Sequence, residues 1–170
     1  MLLNLETIPH SYKNYVKQVE ETDLLQALRI SGHRALEFVH TISDQKKDFK
    51  YAPGKWTIRE VLCHMIDAER IFAYRALRFA RNDKTALAGW EENDYAPQAN
   101  ASDRSLQKIA AEMAHLRSAT IDMFEGFTPE MLSRKGMANN NELGVVVLGF
   151  TIAGHETHHC HILKERYLNS

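Results

Sequence analysis

The apolar positions of this chain fall into four stretches with helical spacing, and no run alternates apolar with polar residues as a half-buried strand does. The first stretch covers about 23–42, with Leu24, Leu28, Ser31, Ala35, Phe38, Val39 and Ile42 along one face. The second covers about 57–80 and opens on Thr57-Ile58-Arg59-Glu60, a capping box whose threonine and glutamate can each satisfy a backbone N–H at the helix start. The third covers about 102–126 through Leu106, Ile109, Met113, Leu116, Thr120 and Phe124. The fourth covers about 142–168, with Leu148, Ile152, His155, His159 and Ile162 on one stripe. Four amphipathic helices predict an all-α fold, a four-helix bundle. At 170 residues the chain reads as one domain, long enough to bury a core without disulfide staples. Residues 1–21 form an N-terminal arm, with the polar stretch 14–22 read as extended. The connection between the second and third helices, about 82–101, is long for a bundle and carries Trp90, Tyr95 and Pro97. It either covers a functional opening or crosses over with its aromatics packed on the bundle.

Composition removes several classes of function. A formal net charge of −1, with acidic and basic residues interspersed, gives no basic face for nucleic acid. No stretch of apolar residues is long enough to span a bilayer, and the start of the chain lacks a secretory signal, so the expected location is the cytoplasm. The two cysteines, Cys63 and Cys160, are read as reduced thiols. Each is the immediate neighbour of a histidine of interest, and adjacent side chains on a helix diverge by about 100°, which argues against shared ligation.

Nine histidines are many for this length, and their placement carries the chemistry. Positions i and i+4 lie about 40° apart on a helix, so His155 and His159 project side by side from the apolar stripe of the fourth helix, where their rings can converge on one ion. His64, in Leu62-Cys63-His64-Met65-Ile66-Asp67, lies at the edge of the apolar stripe of the second helix. Alone it would read as a surface histidine; beside the fourth-helix pair it is the expected third ligand. Its face also holds Glu60, Asp67, Ile71, Arg75 and Arg78, a mixture suited to a pocket mouth. His158 and His161 lie to one side, and His10, His33, His40 and His115 read as solvated. The run His155-Glu156-Thr157-His158-His159 also spells H-E-x-x-H, the zinc-protease signature, but the chain after His159 lacks that family's further ligand and no strand is expected to pair with a peptide.

The segments Lys55-Trp56-Thr57-Ile58-Arg59-Glu60-Val61-Leu62-Cys63-His64-Met65-Ile66-Asp67-Ala68-Glu69-Arg70 and Ala153-Gly154-His155-Glu156-Thr157-His158-His159, followed by Leu163-Lys164-Glu165-Arg166-Tyr167-Leu168, resemble the DinB-like superfamily, in that order and at that separation. The resemblance runs over nearly the whole chain. It implies a four-helix bundle with a three-histidine divalent-metal site on His64, His155 and His159, occupied by zinc or nickel, and often a homodimer. It also implies kinship with S-transferases that use low-molecular-weight thiols such as bacillithiol, mycothiol or glutathione, alongside members with no known activity. The family's DNA-damage label implies no DNA chemistry.

Three neutral imidazoles leave coordination positions open, as catalytic sites do. Water or a thiol in such a position becomes a nucleophile near neutral pH. The readings are therefore metal-assisted thiol transfer or hydrolysis acting on a small molecule, and, against them, a non-catalytic metal- or ligand-binding bundle. Asp67 could orient His64 or accept a proton, or could form a surface salt bridge. Arg75 and Arg78, with Trp90 and Tyr95 of the long connection, are the candidate ligand contacts, and the two arginines could equally be solvated. Glu69 falls within the apolar stripe of the second helix, where a lone carboxylate is costly, so it requires a partner, with Arg166 as one candidate.

Overall fold

Thr57 caps the longest helix as its sequence directs: the backbone N–H of Thr57 donates to Glu60 Oε2 at 2.6 Å, and that of Glu60 donates to Thr57 Oγ1 at 3.1 Å. The structure, a computed structural model, describes residues 3–169. The elements are α1 (His10–Val16), α2 (Leu24–His40), α3 (Ile58–Ala80), a single turn α4 (Glu92–Tyr95), α5 (Leu106–Glu125), a short α6 (Pro129–Ser133), strands β1 (Lys135–Ala138) and β2 (Asn141–Gly144), and α7 (Val145–Ile162), which runs on as a wider turn over Leu163–Leu168.

The long helices α2, α3, α5 and α7 form the bundle. Helix α7 packs on α2 and α3, and α5 packs on the same two, so the consecutive helices α2 and α3 stand at opposite corners. The core falls into two clusters. One is centred on Leu28, Phe79, Phe124 and Leu148, the other on Ile58, Leu62, Ile109 and Leu163. Arg59 ties the loops at the second end, donating from Nη1 to the carbonyls of Ser102 and Arg104 at 2.6 and 2.9 Å and pairing with Asp48.

Two expectations are corrected. The N-terminal arm is not extended from 14: α1 is a helix as far as Val16 and lies on α7, and only 17–22 lack regular structure. It covers the outer face of α7, which explains why α7 is apolar all round, with Leu148 to Glu156 buried without interruption. The approach is close enough to require glycine, since a Cβ at Gly154 would stand 1.9 Å from the Tyr15 carbonyl oxygen. The chain also contains a β-hairpin where no strand was expected, Lys135 pairing with Gly144 through Ala138 with Asn141. Its two turn residues, Asn139 and Asn140, have φ of 47° and 59°, the left-handed pair that a two-residue hairpin needs. The hairpin also displaces the start of the last helix from about 142 to Val145.

Candidate metal centre

Helix α7 presents His155 and His159 one turn apart, and α3 presents His64 against them. The Nε2 atoms of His64 and His155 are 3.1 Å apart, as are those of His155 and His159. All three side chains offer a ligand nitrogen within 4.8 Å of one another. A single nitrogen of His155 cannot donate to both neighbours at once, since a neutral imidazole nitrogen either carries one hydrogen or offers one lone pair. Three ring nitrogens held this close together suit a shared cation. With metal–nitrogen bonds of about 2.1 Å, donors 3.1 Å apart subtend about 95°, between the angles of octahedral and tetrahedral coordination.

Burial keeps these bases neutral, the state in which imidazole ligates. It holds His64 down to about 4. Burial first, then His64 and His158, holds His159 down to about 3. His155 lies well below its ordinary value, again through burial first and then its histidine neighbours. Aromatic rings surround the group: Trp56 and Trp90 flank His64 with ring centres 5.0 and 5.7 Å away, and Tyr15 and Phe72 stand 5.0 and 5.8 Å from His155. His64 is buried, with a tryptophan on either side, at the inner wall of a cavity.

Two large cavities meet the triad, besides an enclosed one of about 10 Å³ that touches His155. One, of about 250 Å³, is bounded by His64, His155, Tyr12, Tyr15, Arg75, Trp90 and Glu92. The other, of about 220 Å³, lies beside His159 against Tyr51, Lys55, Trp56 and Arg166. Of the predicted ligand contacts, Arg75 and Trp90 reach the first cavity. Tyr95 is half exposed and meets only the edge of Trp90, at 5.1 Å. Arg78 points elsewhere, paired with Asp83 and the Tyr74 hydroxyl. Asp67 does not orient His64: it faces Arg70 at 3.8 Å, and His64 Nδ1 has no hydrogen-bond partner among the described residues.

Glu69 has a partner, but not Arg166, which reaches the Tyr51 hydroxyl. Arg117 of α5 donates from Nε and Nη2 to the two Glu69 oxygens at 3.0 and 2.8 Å. Its Nη1 donates to Glu156 Oε2 at 2.8 Å, and to the Leu28 carbonyl and Ser31 Oγ at 2.9 Å. Glu156 is thus held in an ion cluster, an observation against a protease-type base. His10, His33, His40 and His115 are exposed, as expected. Both thiols are weakened as nucleophiles: burial pushes Cys160 up to about 12 and raises Cys63.

Tyr12, Tyr15, Trp56, Phe72 and Glu92 escaped the sequence reading. Trp56 had a signal, standing beside the cap of α3. The two tyrosines had none, because α1 is too short to show a period.

A helical bundle with three converging imidazoles at the wall of a cavity defines a class of protein that could hold a divalent metal. The model of the DinB superfamily matches residues 27–163, and the chain belongs to that superfamily. A relative from Geobacillus thermodenitrificans, provisionally named a metal-dependent hydrolase, is 26% identical over 130 residues, covering 74% of this chain and 73% of its own. Among solved structures, YfiT from Bacillus subtilis, described as a probable metal-dependent hydrolase with an unusual four-helix bundle topology, superposes with a TM-score of 0.74 at 16% identity, over 94% of this chain and 88% of that one. That likeness establishes the four-helix bundle. Among the described residues, no helix is long and apolar enough to cross a membrane.

Proposed function

We propose that this protein is a metal-dependent hydrolase of a small molecule, with His64, His155 and His159 holding one divalent ion, zinc or nickel. The observation that carries the reading is the convergence of three neutral Nε2 atoms, two of them buried, beside a cavity of about 250 Å³ that His64 and His155 line. An ion held there would lower the pKa of water and polarise the bond to be cleaved.

The chain's own residues supply the rest. Trp56 and Trp90 screen His64 from bulk water, and Tyr15 and Phe72 fix the plane of the His155 ring. Glu92 is the carboxylate on the cavity wall. It is exposed to solvent at the rim, where partial burial, then Glu91, raises its pKa from the ordinary value, and a carboxylate so placed can accept and return a proton. That role passes to Glu92 from Asp67, which lies outside the cavity lining. Thiol transfer is the finer alternative suggested by the family resemblance. With Cys63 and Cys160 both weakened, the thiol would be a free small molecule rather than part of the chain.

Elemental analysis of protein purified without an affinity tag tests the centre. About one ion per chain is expected, falling at least tenfold in His155→Ala. The loaded protein is then assayed on esters and amides, and separately on an electrophile with added thiols. Metal retained by His155→Ala would overturn the centre. Turnover that requires a thiol would replace hydrolysis by transfer.

A further inference from the structure

Arg75 is 3% exposed, yet no carboxylate stands within ion-pair distance of it among the described residues. Every other buried arginine has one: Arg59 has Asp48, and Arg117 has Glu69 and Glu156. The protein acceptors of Arg75 are neutral. Nη1 donates to the Tyr12 hydroxyl at 3.3 Å and Nη2 to the Ala88 carbonyl at 3.0 Å. A guanidinium has five N–H donors, so more than half remain without a protein acceptor among the described residues. An unpaired buried cation is costly to maintain, and this one lines the same cavity as His64 and His155.

We propose that Arg75 is the carboxylate-binding residue of the site, and that the substrate is a small molecule with a single carboxylate. Its carboxylate pairs with Arg75 and its reacting end lies toward the histidine triad. The planar fork of a guanidinium matches a carboxylate, and one positive charge matches one negative charge. A dianion such as phosphate would set its second charge against Glu92, the other charged side chain of this lining. A cavity of about 250 Å³ has room for a small ligand. The assignment of the reacting end rests on the hydrolase reading; the carboxylate pairing does not.

Both tryptophans of the chain flank His64, so their fluorescence reports occupancy of this cavity. Full-length protein is titrated with propionate, benzoate and phenylacetate, and with benzamide and phenylphosphonate as the neutral and dianionic counterparts. At least one carboxylate is expected to bind, with benzamide and phenylphosphonate each about tenfold weaker or worse. Arg75→Gln should weaken the carboxylate at least tenfold. Arg75→Lys, which keeps the charge and a side chain that can reach Tyr12, should weaken it less, and it serves if the glutamine variant fails to fold. Arg78→Gln, one turn away and outside the cavity, should leave binding unchanged.

His155→Ala separates the two readings. Carboxylate binding that survives loss of metal and still depends on Arg75 supports the pairing whether or not the centre is catalytic. Binding lost in His155→Ala but retained in Arg75→Gln would place the carboxylate on the ion and overturn the proposal. So would equal binding of benzamide, tighter binding of phenylphosphonate, or no binding by any of the three carboxylates.

Discussion

His155 and Glu156 are consecutive residues of α7, both buried, and they belong to opposite kinds of site. Glu156 enters a closed cluster in which Arg117 meets two carboxylates, a carbonyl and a hydroxyl, so every strong donor aimed inward has a protein acceptor. His155 enters a group of three bases with no carboxylate among them, whose nitrogens crowd at 3.1 Å. The first cluster has its counter-charges built in; the second has lone pairs and no charge to direct them at. Saturated polar groups in a core hold elements in register, whereas unsaturated ones that line a cavity point to something the chain itself does not supply.

The largest effect should come from breaking the closed cluster. Arg117→Met leaves two carboxylates buried without their cation and is expected to cost about 3–5 kcal/mol in urea denaturation of the metal-free protein. The metal content of the fraction that folds should be unchanged. A change in metal content as large as that of His155→Ala would show that the two clusters act as one.

Gly154→Ala acts on the other cluster. The added methyl meets Tyr15 backbone rather than a flexible side chain, so α1 must shift, at a cost of about 1–3 kcal/mol. Tryptophan emission and metal affinity should change with it. Unaltered emission and affinity together with full stability would mean that α1 is not a fixed wall of the site.

Acid sharpens the contrast further. In the unfolded chain the histidines titrate near 6.5, whereas in the fold His64 and His159 are held down to about 4 and about 3. Below about 6.5 the unfolded chain therefore binds protons that the fold refuses. Metal-free protein should lose up to about 1.4 kcal/mol per pH unit for each such histidine, until the folded values are reached. Urea midpoints at pH 7, 6 and 5 would measure this, and a flat profile would contradict the burial of these rings. The smallest effect belongs to Asp67→Asn, expected to stay within about 0.5 kcal/mol and to leave metal content alone, because its ion pair with Arg70 is at the surface.

Much of this was legible in the chain. The capping box at Thr57 and Glu60 placed the start of α3, and the four-residue spacing of His155 and His159 placed two bases on one face of α7. What could not be read were pairings between distant segments. Nothing local tells Glu69 to choose Arg117, 48 positions on, over Arg166. Arg75 and Arg78 share a helix face, and only the tertiary fold turns one toward the cavity and gives the other to Asp83. The hairpin was missed because its strands have four residues each, too short for alternation to register, although Asn139-Asn140 was a usable turn signal.

The cavity beside the triad also fixes an order of events. Tyr12 and Tyr15 are made well before His155, and α1 rests chiefly on α7. On the ribosome, α1 emerges long before the surface it lies against exists, so the pocket can close only once α7 has followed it out.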